Sequence, residues 1–311
     1  MKRLALIGIA VLVAAVFLLL PLMNTKSNIE RPKYTVGVVL KAMDSEHWLA
    51  VRAGLDEMAR AKNIRLVVLT PENESAYEEQ NRLIDDLLAD GIDALVVSPT
   101  NINHTGEWIK KAREKNVPLL TIDEKIDGIP YVGSDNYSIG KMAGEELAKA
   151  LPSGSEVAII SGSSTQDAHI KRVNGFSDYL ASNTDLKIVA EVTADTKYRL
   201  ATVEGDKLLH EFPNLQGMFV TSAFMTLGAL DASEHAGKKI AIVGVDTQND
   251  TLAALKNGRL AAMISQDGKE IGHRAINEIL QTLQGENIAD SYAVNEVITK
   301  ENALQYQNKE E

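Results

Sequence analysis

Cysteine is absent from the 311-residue chain. Its absence excludes disulfides, thiolate metal sites and a cysteine nucleophile. It also excludes the lipidated cysteine that anchors a bacterial lipoprotein. Basic residues are in the minority: 32 Lys and Arg stand against 43 Asp and Glu, for a net charge of −11. A protein that grips phosphate backbones needs a basic footprint, so nucleic acid is excluded as a partner. No Gly-x-Ser-x-Gly turn occurs; Gly162-Ser163-Ser164 lacks the flanking pattern. No Gly-rich loop has the spacing that cradles phosphate. The six histidines are scattered without metal-ligand pairing. The chain reads as non-enzymatic, with no catalytic residue, no cofactor and no metal.

One long uncharged run is present. Lys2 and Arg3 precede Leu4–Met23, twenty residues without a charge. A helix of that length spans roughly 30 Å, the thickness of a bilayer's hydrocarbon core. The basic pair places residues 1–3 in the cytoplasm and the rest outside. The run ends without an Ala-x-Ala pattern, so 4–23 is expected to be a transmembrane anchor. A cleaved signal peptide is the rival reading. Under either, the globular part is exported, to the outer face of the membrane or to the periplasm. Residues 24–33 read as a polar tether.

The stretch Tyr34–Asn63 organises the rest of the chain. Val36–Leu40 is wholly apolar and short, which suits a strand covered on both faces of a parallel sheet. Trp48, Val51, Leu55 and Met58 then recur at helical spacing, with Ser45 as N-cap. In open parallel sheets, ligands sit outside the carboxyl ends of the strands. Lys41, Ser45, His47 and Trp48 fall there and form half of a candidate small-molecule site.

Beyond this turn, strand-like runs alternate with helical segments. One series lies at 36–40, 66–69, 94–100, 118–123 and 131–135. A second lies at 156–162, 187–192, 217–222, 239–246 and 261–266. Helices are expected between the strands and near 269–283, with a single terminal strand at 292–299. The alternation predicts an α/β protein with parallel sheets in two similar lobes. The fourth strand of each series ends in an acid, Asp123 and Asp246, which suggests matched carboxylates facing one cleft. The bland alternative is that βα turns often use Asp as a helix cap.

From Tyr34 to about Lys300 the chain resembles the ribose-binding family of periplasmic sugar-binding proteins. The residues that carry the resemblance include VVLKAMDSEHWLAVRAGLDEMA, PLLTIDEKI, YVGSDNYSIGKMAGEEL, AIVGVD and AAMISQDGKEIGHRA. The first and second of these look most similar to the allose-binding branch. The resemblance implies two Rossmann-like lobes joined by three hinge strands, the type I periplasmic binding protein fold. The first lobe would hold 34–134 plus 267–295, and the second 135–266 plus 296–311. It also implies sugar contacts at Lys41, Ser45, His47, Trp48, Asp123, Glu124, Asp246 and Gln266. Ser222 stands where the family has a polar contact. Three positions depart: Ile170 replaces an arginine, although Arg172 is close by; Thr196 replaces an aromatic, with Tyr198 near; and Ser222-Ala223 replace Asn-Asp.

Chemically, such a site suits a neutral polyol or an amino sugar. Carboxylates accept from paired hydroxyls, Trp48 would cover a C–H face, and Lys41 and Gln266 would donate to sugar oxygens. The expected function is an extracytoplasmic solute-binding protein that closes on a small carbohydrate and delivers it to the permease of a sugar ABC importer. It would be monomeric when free. A membrane-tethered sensor acting through a histidine kinase is the alternative, and a glycoside-cleaving cleft hydrolase is the alternative of another class.

Overall fold

Val36, Val38, Val39 and Leu40 are wholly shielded from solvent, as a strand covered on both faces demands. The computed structural model that shows this describes residues 31–310. The apolar run at 4–23 lies outside the described residues. Among the described residues, no helix is long and apolar enough to cross a membrane.

The first sheet contains β1 (Thr35–Val39), β2 (Arg65–Leu69), β3 (Ala94–Val97), β4 (Leu119–Ile122), β5 (Tyr131–Gly133) and β11 (Ser291–Tyr292). Its order is β2-β1-β3-β4-β5-β11, and every pairing is parallel. The second sheet contains β6 (Glu156–Ser161), β7 (Lys187–Thr193), β8 (Leu215–Val220), β9 (Ala241–Val245), β10 (Ala262–Gln266) and β12 (Asn295–Ile298). Its order, β7-β6-β8-β9-β10-β12, repeats the first strand for strand. Of the described strands, only β12 runs antiparallel to its neighbour.

Helices α1 (Glu46–Ala61), α2 (Tyr77–Ala89), α3 (Gly106–Glu114) and α9 (Gly268–Leu283) belong with the first sheet. Helices α4 (Asn136–Ala150), α5 (Asp167–Asn183), α6 (Tyr198–Glu211), α7 (Ala223–His235), α8 (Asn249–Lys256) and α10 (Ala303–Glu310) belong with the second. Within the described residues the chain passes between the sheets three times: from β5 to α4, from β10 to α9, and from β11 to β12.

Glycine sets the closest helix pairs. A Cβ on Gly140 of α4 would lie 2.0 Å from the carbonyl oxygen of Arg172 on α5. One on Gly54 of α1 would lie 2.1 Å from that of Lys269 on α9. Each crossing brings backbone against backbone, so each helix is held firmly in place along its sheet.

Two features differ from the sequence expectation. The run Tyr292–Thr299 is not one strand. Ser291–Tyr292 pairs with β5 in one sheet and Asn295–Ile298 with β10 in the other, so the chain changes sheets at Ala293–Val294. Helix α10 was not expected: its apolar residues are few, and only Ala303 and Tyr306 are buried among its described side chains.

Candidate functional site

Leu40 extends β1 by one bond, its N–H donating to Leu69 O at 3.1 Å. The chain then turns into α1, and Ser45 Oγ caps that helix by accepting from Trp48 N at 3.3 Å. This turn supplies Lys41, Ser45, His47 and Trp48 to one wall of a cavity of about 120 Å³. The cavity lies at the carboxyl ends of both sheets. Asp123 follows β4, Asp246 follows β9, Gln266 ends β10 and Ser222 precedes α7, and all four line it as well.

Of the expected contact residues, Glu124 alone does not line the cavity. It is wholly buried and pairs with the ammonium of Lys41. The cause is local. Asp123 has φ of +64°, so the strand ends there, and Glu124 N turns back to Ile122 O at 2.7 Å. Lys41 pairs with both acids of this turn. Its three N–H donors go to Asp123 Oδ2 at 2.8 Å, to Glu124 Oε1 and to Gln166 Oε1 at 3.4 Å. All three are engaged within the protein, while Lys41 itself still lines the cavity.

Burial alone would lower the Lys41 pKa, but Asp123 and Glu124 reverse this and hold it above its ordinary value. Burial alone would raise Asp123; Lys41, Arg172 and His47 hold it well below the usual carboxylate range. Glu124 is pushed up to about 7 by burial, with Asp123 adding to the shift and Lys41 opposing it. Lys41 and Asp123 therefore form the charged pair, and Glu124 titrates beside them.

Several contacts join residues of the two sheets. Glu124 Oε2 accepts from Ala168 N, in the first turn of α5, at 3.3 Å. Glu46 Oε1 accepts from both Asn249 N and Asn249 Nδ2, at 3.1 and 3.0 Å. His47 Nδ1 lies 3.9 Å from Asp246 Oδ1. Ile102 N donates to Thr165 O at 3.0 Å.

Three buried polar atoms on cavity residues have no partner among the described residues: His47 Nε2, Ser222 Oγ and Gln266 Oε1. Gln266 Nε2 is engaged, donating to Asp246 Oδ1 at 2.6 Å. Unpaired buried polar atoms are costly, so these three are groups of the cavity residues with hydrogen bonds still to make.

Sequence reading did not single out Gln166, His169 or Glu74, and it met Arg172 only as a neighbour of Ile170. Gln166, His169 and Arg172 follow β6 as Lys41–Trp48 follow β1, so the same strand-end argument applies to them. Arg172 is held by Asn136 Oδ1 at 2.9 Å and Thr221 O at 2.8 Å. Burial, with Arg172 and Lys41 nearby, keeps His169 well below the ordinary histidine pKa, so it is neutral. Thr196 lines the cavity, whereas Tyr198 points its hydroxyl to Asp231.

The family model of the periplasmic binding protein domain matches residues 36–287. The chain belongs to that family. The sugar-binding members it resembles are solute binders and not enzymes. This binding protein is 30% identical over 298 residues to the ribose import binding protein RbsB of Salmonella typhimurium, covering 94% of this chain and 97% of the relative. It is 27% identical to an ABC transporter periplasmic solute binding protein of Actinobacillus succinogenes, solved with bound D-allose. That match has a TM-score of 0.82 and covers 88% of this chain and 100% of the other. A third match, XylFII solved in a complex with LytSN, is 28% identical with a TM-score of 0.79, covering 86% and 98% of the two chains.

Proposed function

We propose that this protein binds a small, hydroxyl-rich carbohydrate in the cavity between its two sheets, outside the cell membrane. The observation that carries the reading is the set of unpartnered buried atoms on His47, Ser222 and Gln266, placed beside the carboxylates of Asp123 and Asp246. Sugar hydroxyls both donate and accept, so one guest can meet an amide oxygen, an imidazole nitrogen and two acids. Bonds to the carboxylates are charge-assisted and roughly twice as strong as neutral ones. The ring of Trp48 covers an apolar C–H face and excludes water. Lys41 is already paired, Arg172 is held by Asn136 and Thr221, and the carboxylates of Asp123 and Asp246 line the cavity, so a neutral or cationic sugar fits it better than an anion.

The lobes are the two sheets with their helices, and the chain crosses between them after β5, after β10 and at Ala293–Val294. The three passages between sheets act as the hinge. A guest touching both lobes favours the closed state by its differential affinity for it. The closed form then delivers its sugar to the permease of an ABC importer, a reading supported by the name of the ribose import binding relative and by the ABC transporter solute binding protein solved with D-allose. A second reading is a membrane-tethered sensor whose closed form engages a signalling partner such as a histidine kinase. It is favoured by the similarity to XylFII, which is found in complex with LytSN.

A thermal-shift panel on the full chain tests the binding reading, with D-ribose, D-allose, other hexoses, polyols and amino sugars as probes. A binder raises the melting temperature in step with its concentration. Asp246→Ala and Trp48→Ala are each expected to abolish that rise while leaving a cooperative unfolding transition. A flat response across the panel, or mutants that respond like the wild type, sinks the reading.

A further inference from the structure

Glu74 is a carboxylate on the cavity wall to which the binding reading gives no task. It sits in the loop between β2 and α2, a further strand-end turn next to the one that carries Trp48. Asn73 folds that loop: its Oδ1 accepts from Ser75 N at 3.0 Å, and its carbonyl accepts from Ala76 N at 3.1 Å. Asn73, Glu74 and Ser75 all line the cavity. From this position Glu74 Oε1 accepts the indole N–H of Trp48 at 3.1 Å.

The indole is held from other sides too. Trp48 is 4% exposed and shares a buried apolar cluster with Val51 and Leu55. The His47 ring meets it edge-on, with centroids 5.1 Å apart and planes at 70°. Lys41 Nζ stands 6.0 Å from its centroid. Packing fixes where the ring is, and the carboxylate fixes which way its polar edge faces. An indole has one donor and no acceptor. With that donor on Glu74, Trp48 has no hydrogen bond to give a guest and offers it only a ring.

We propose that Glu74 is a positioning residue for Trp48: it engages the indole N–H and sets the ring so that a ligand meets it through a C–H face alone. The proposal rests on the carbohydrate reading and adds a selectivity to it. Sugars whose hydroxyls lie away from Trp48 are accepted. Epimers that turn a hydroxyl toward the ring are rejected, because that hydroxyl finds no donor there.

The test uses full-length wild type, Glu74→Ala and Glu74→Gln. The chain has two tryptophans. Trp108 sits in a different apolar cluster, and Trp48→Phe supplies its signal as the blank. Emission maximum and acrylamide quenching are read first without sugar. Affinity is then measured for whichever of D-ribose, D-allose and D-galactose gives the largest thermal shift. Glu74→Ala is expected to red-shift Trp48, raise its quenching and weaken binding about tenfold, the scale of one hydrogen bond to a charged group. Glu74→Gln keeps an acceptor oxygen and is expected to restore the emission and most of the affinity. A purely structural role would lower the melting temperature without that rescue. Wild-type emission and quenching in Glu74→Ala overturn the proposal whether or not a sugar binds. Altered emission with unaltered affinity overturns it as well. If no sugar binds the wild type, the carbohydrate reading fails by itself, and the emission comparison still decides the positioning of Trp48.

Discussion

Asp123 and Asp246 are the same residue in two places. Each follows the last residue of its sheet's fourth strand. Each lies in the left-handed region, at φ of +64° and +67°. Each donates its backbone N–H to the next strand, to Val132 O at 3.1 Å and to Ile264 O at 2.8 Å. Asp tolerates this backbone better than most residues, and the turn brings both carboxylates to the one cavity. Their surroundings then diverge: Asp123 is paired with a buried ammonium, and Asp246 with the amide of Gln266.

That divergence predicts unequal costs of mutation. Lys41→Met leaves Asp123 and Glu124 buried without their cation. Removing one partner of a buried ion pair costs about 3–5 kcal/mol. Asp246→Ala removes a carboxylate that is partly exposed and is expected to cost far less. Urea denaturation of the two variants checks the order; equal losses would contradict the account of Lys41.

Glu124 carries a pH prediction. Its folded pKa is raised from 4.5 to about 7, so the folded state holds a proton that the unfolded state has released between those values. Its contribution to stability is therefore full below about 4.5 and is lost as pH rises toward about 7. Asp123 acts in the opposite sense, because its pKa is held below 3.8: its contribution is present above that value and is lost as pH falls through the depressed one. Glu124→Gln should flatten the stability profile between about 4.5 and about 7 and leave the acid limb in place. A profile unchanged by the substitution would show that Glu124 is ionised throughout.

Glu46 is exposed, yet it holds the first residue of α8 by two hydrogen bonds from across the cleft. Glu46→Ala removes both without touching the cavity wall. If hinge closure operates, the variant should populate a more open state, with a larger radius of gyration by small-angle scattering in the absence of sugar. Affinity should fall about three- to tenfold, in line with a net hydrogen-bond contribution of ~1 kcal/mol. An unchanged radius and affinity would remove Glu46 from the closing contacts.

Gly140 tests the coupling between helix packing and site. An added methyl meets the Arg172 carbonyl at 2.0 Å, so α5 must move. Gln166, His169 and Arg172 all ride at the start of α5 and line the cavity. Gly140→Ala is expected to destabilise by about 1–3 kcal/mol, as overpacking does, and to weaken ligand binding as well. Loss of stability with intact affinity would mean that the site is insulated from that crossing.

The alternation of apolar runs and amphipathic segments was enough to expect an α/β chain with two series of strands. A fully buried parallel strand admits almost nothing but apolar residues, so the pattern is visible locally. That Asp123, Asp246 and the turn at Lys41–Trp48 meet at one cavity was legible for a related reason, since the residues that follow parallel strands gather at one end of the sheet. The partner of a strand is a different matter. Nothing within Tyr292–Thr299 says that its ends pair with different sheets, because β-pairing is a contact with residues distant in sequence. Nor does Lys41 declare its neighbours. That its donors are taken by Asp123, Glu124 and Gln166, and that the N–H of Trp48 goes to Glu74, are facts of proximity between segments 26 to 125 positions apart. Sequence by itself determined which residues are apolar, where strands end and which polar side chains wait there. Tertiary structure alone decided which of those groups satisfy one another and which stay unpartnered, because hydrogen bonding and desolvation depend on the distances that folding creates.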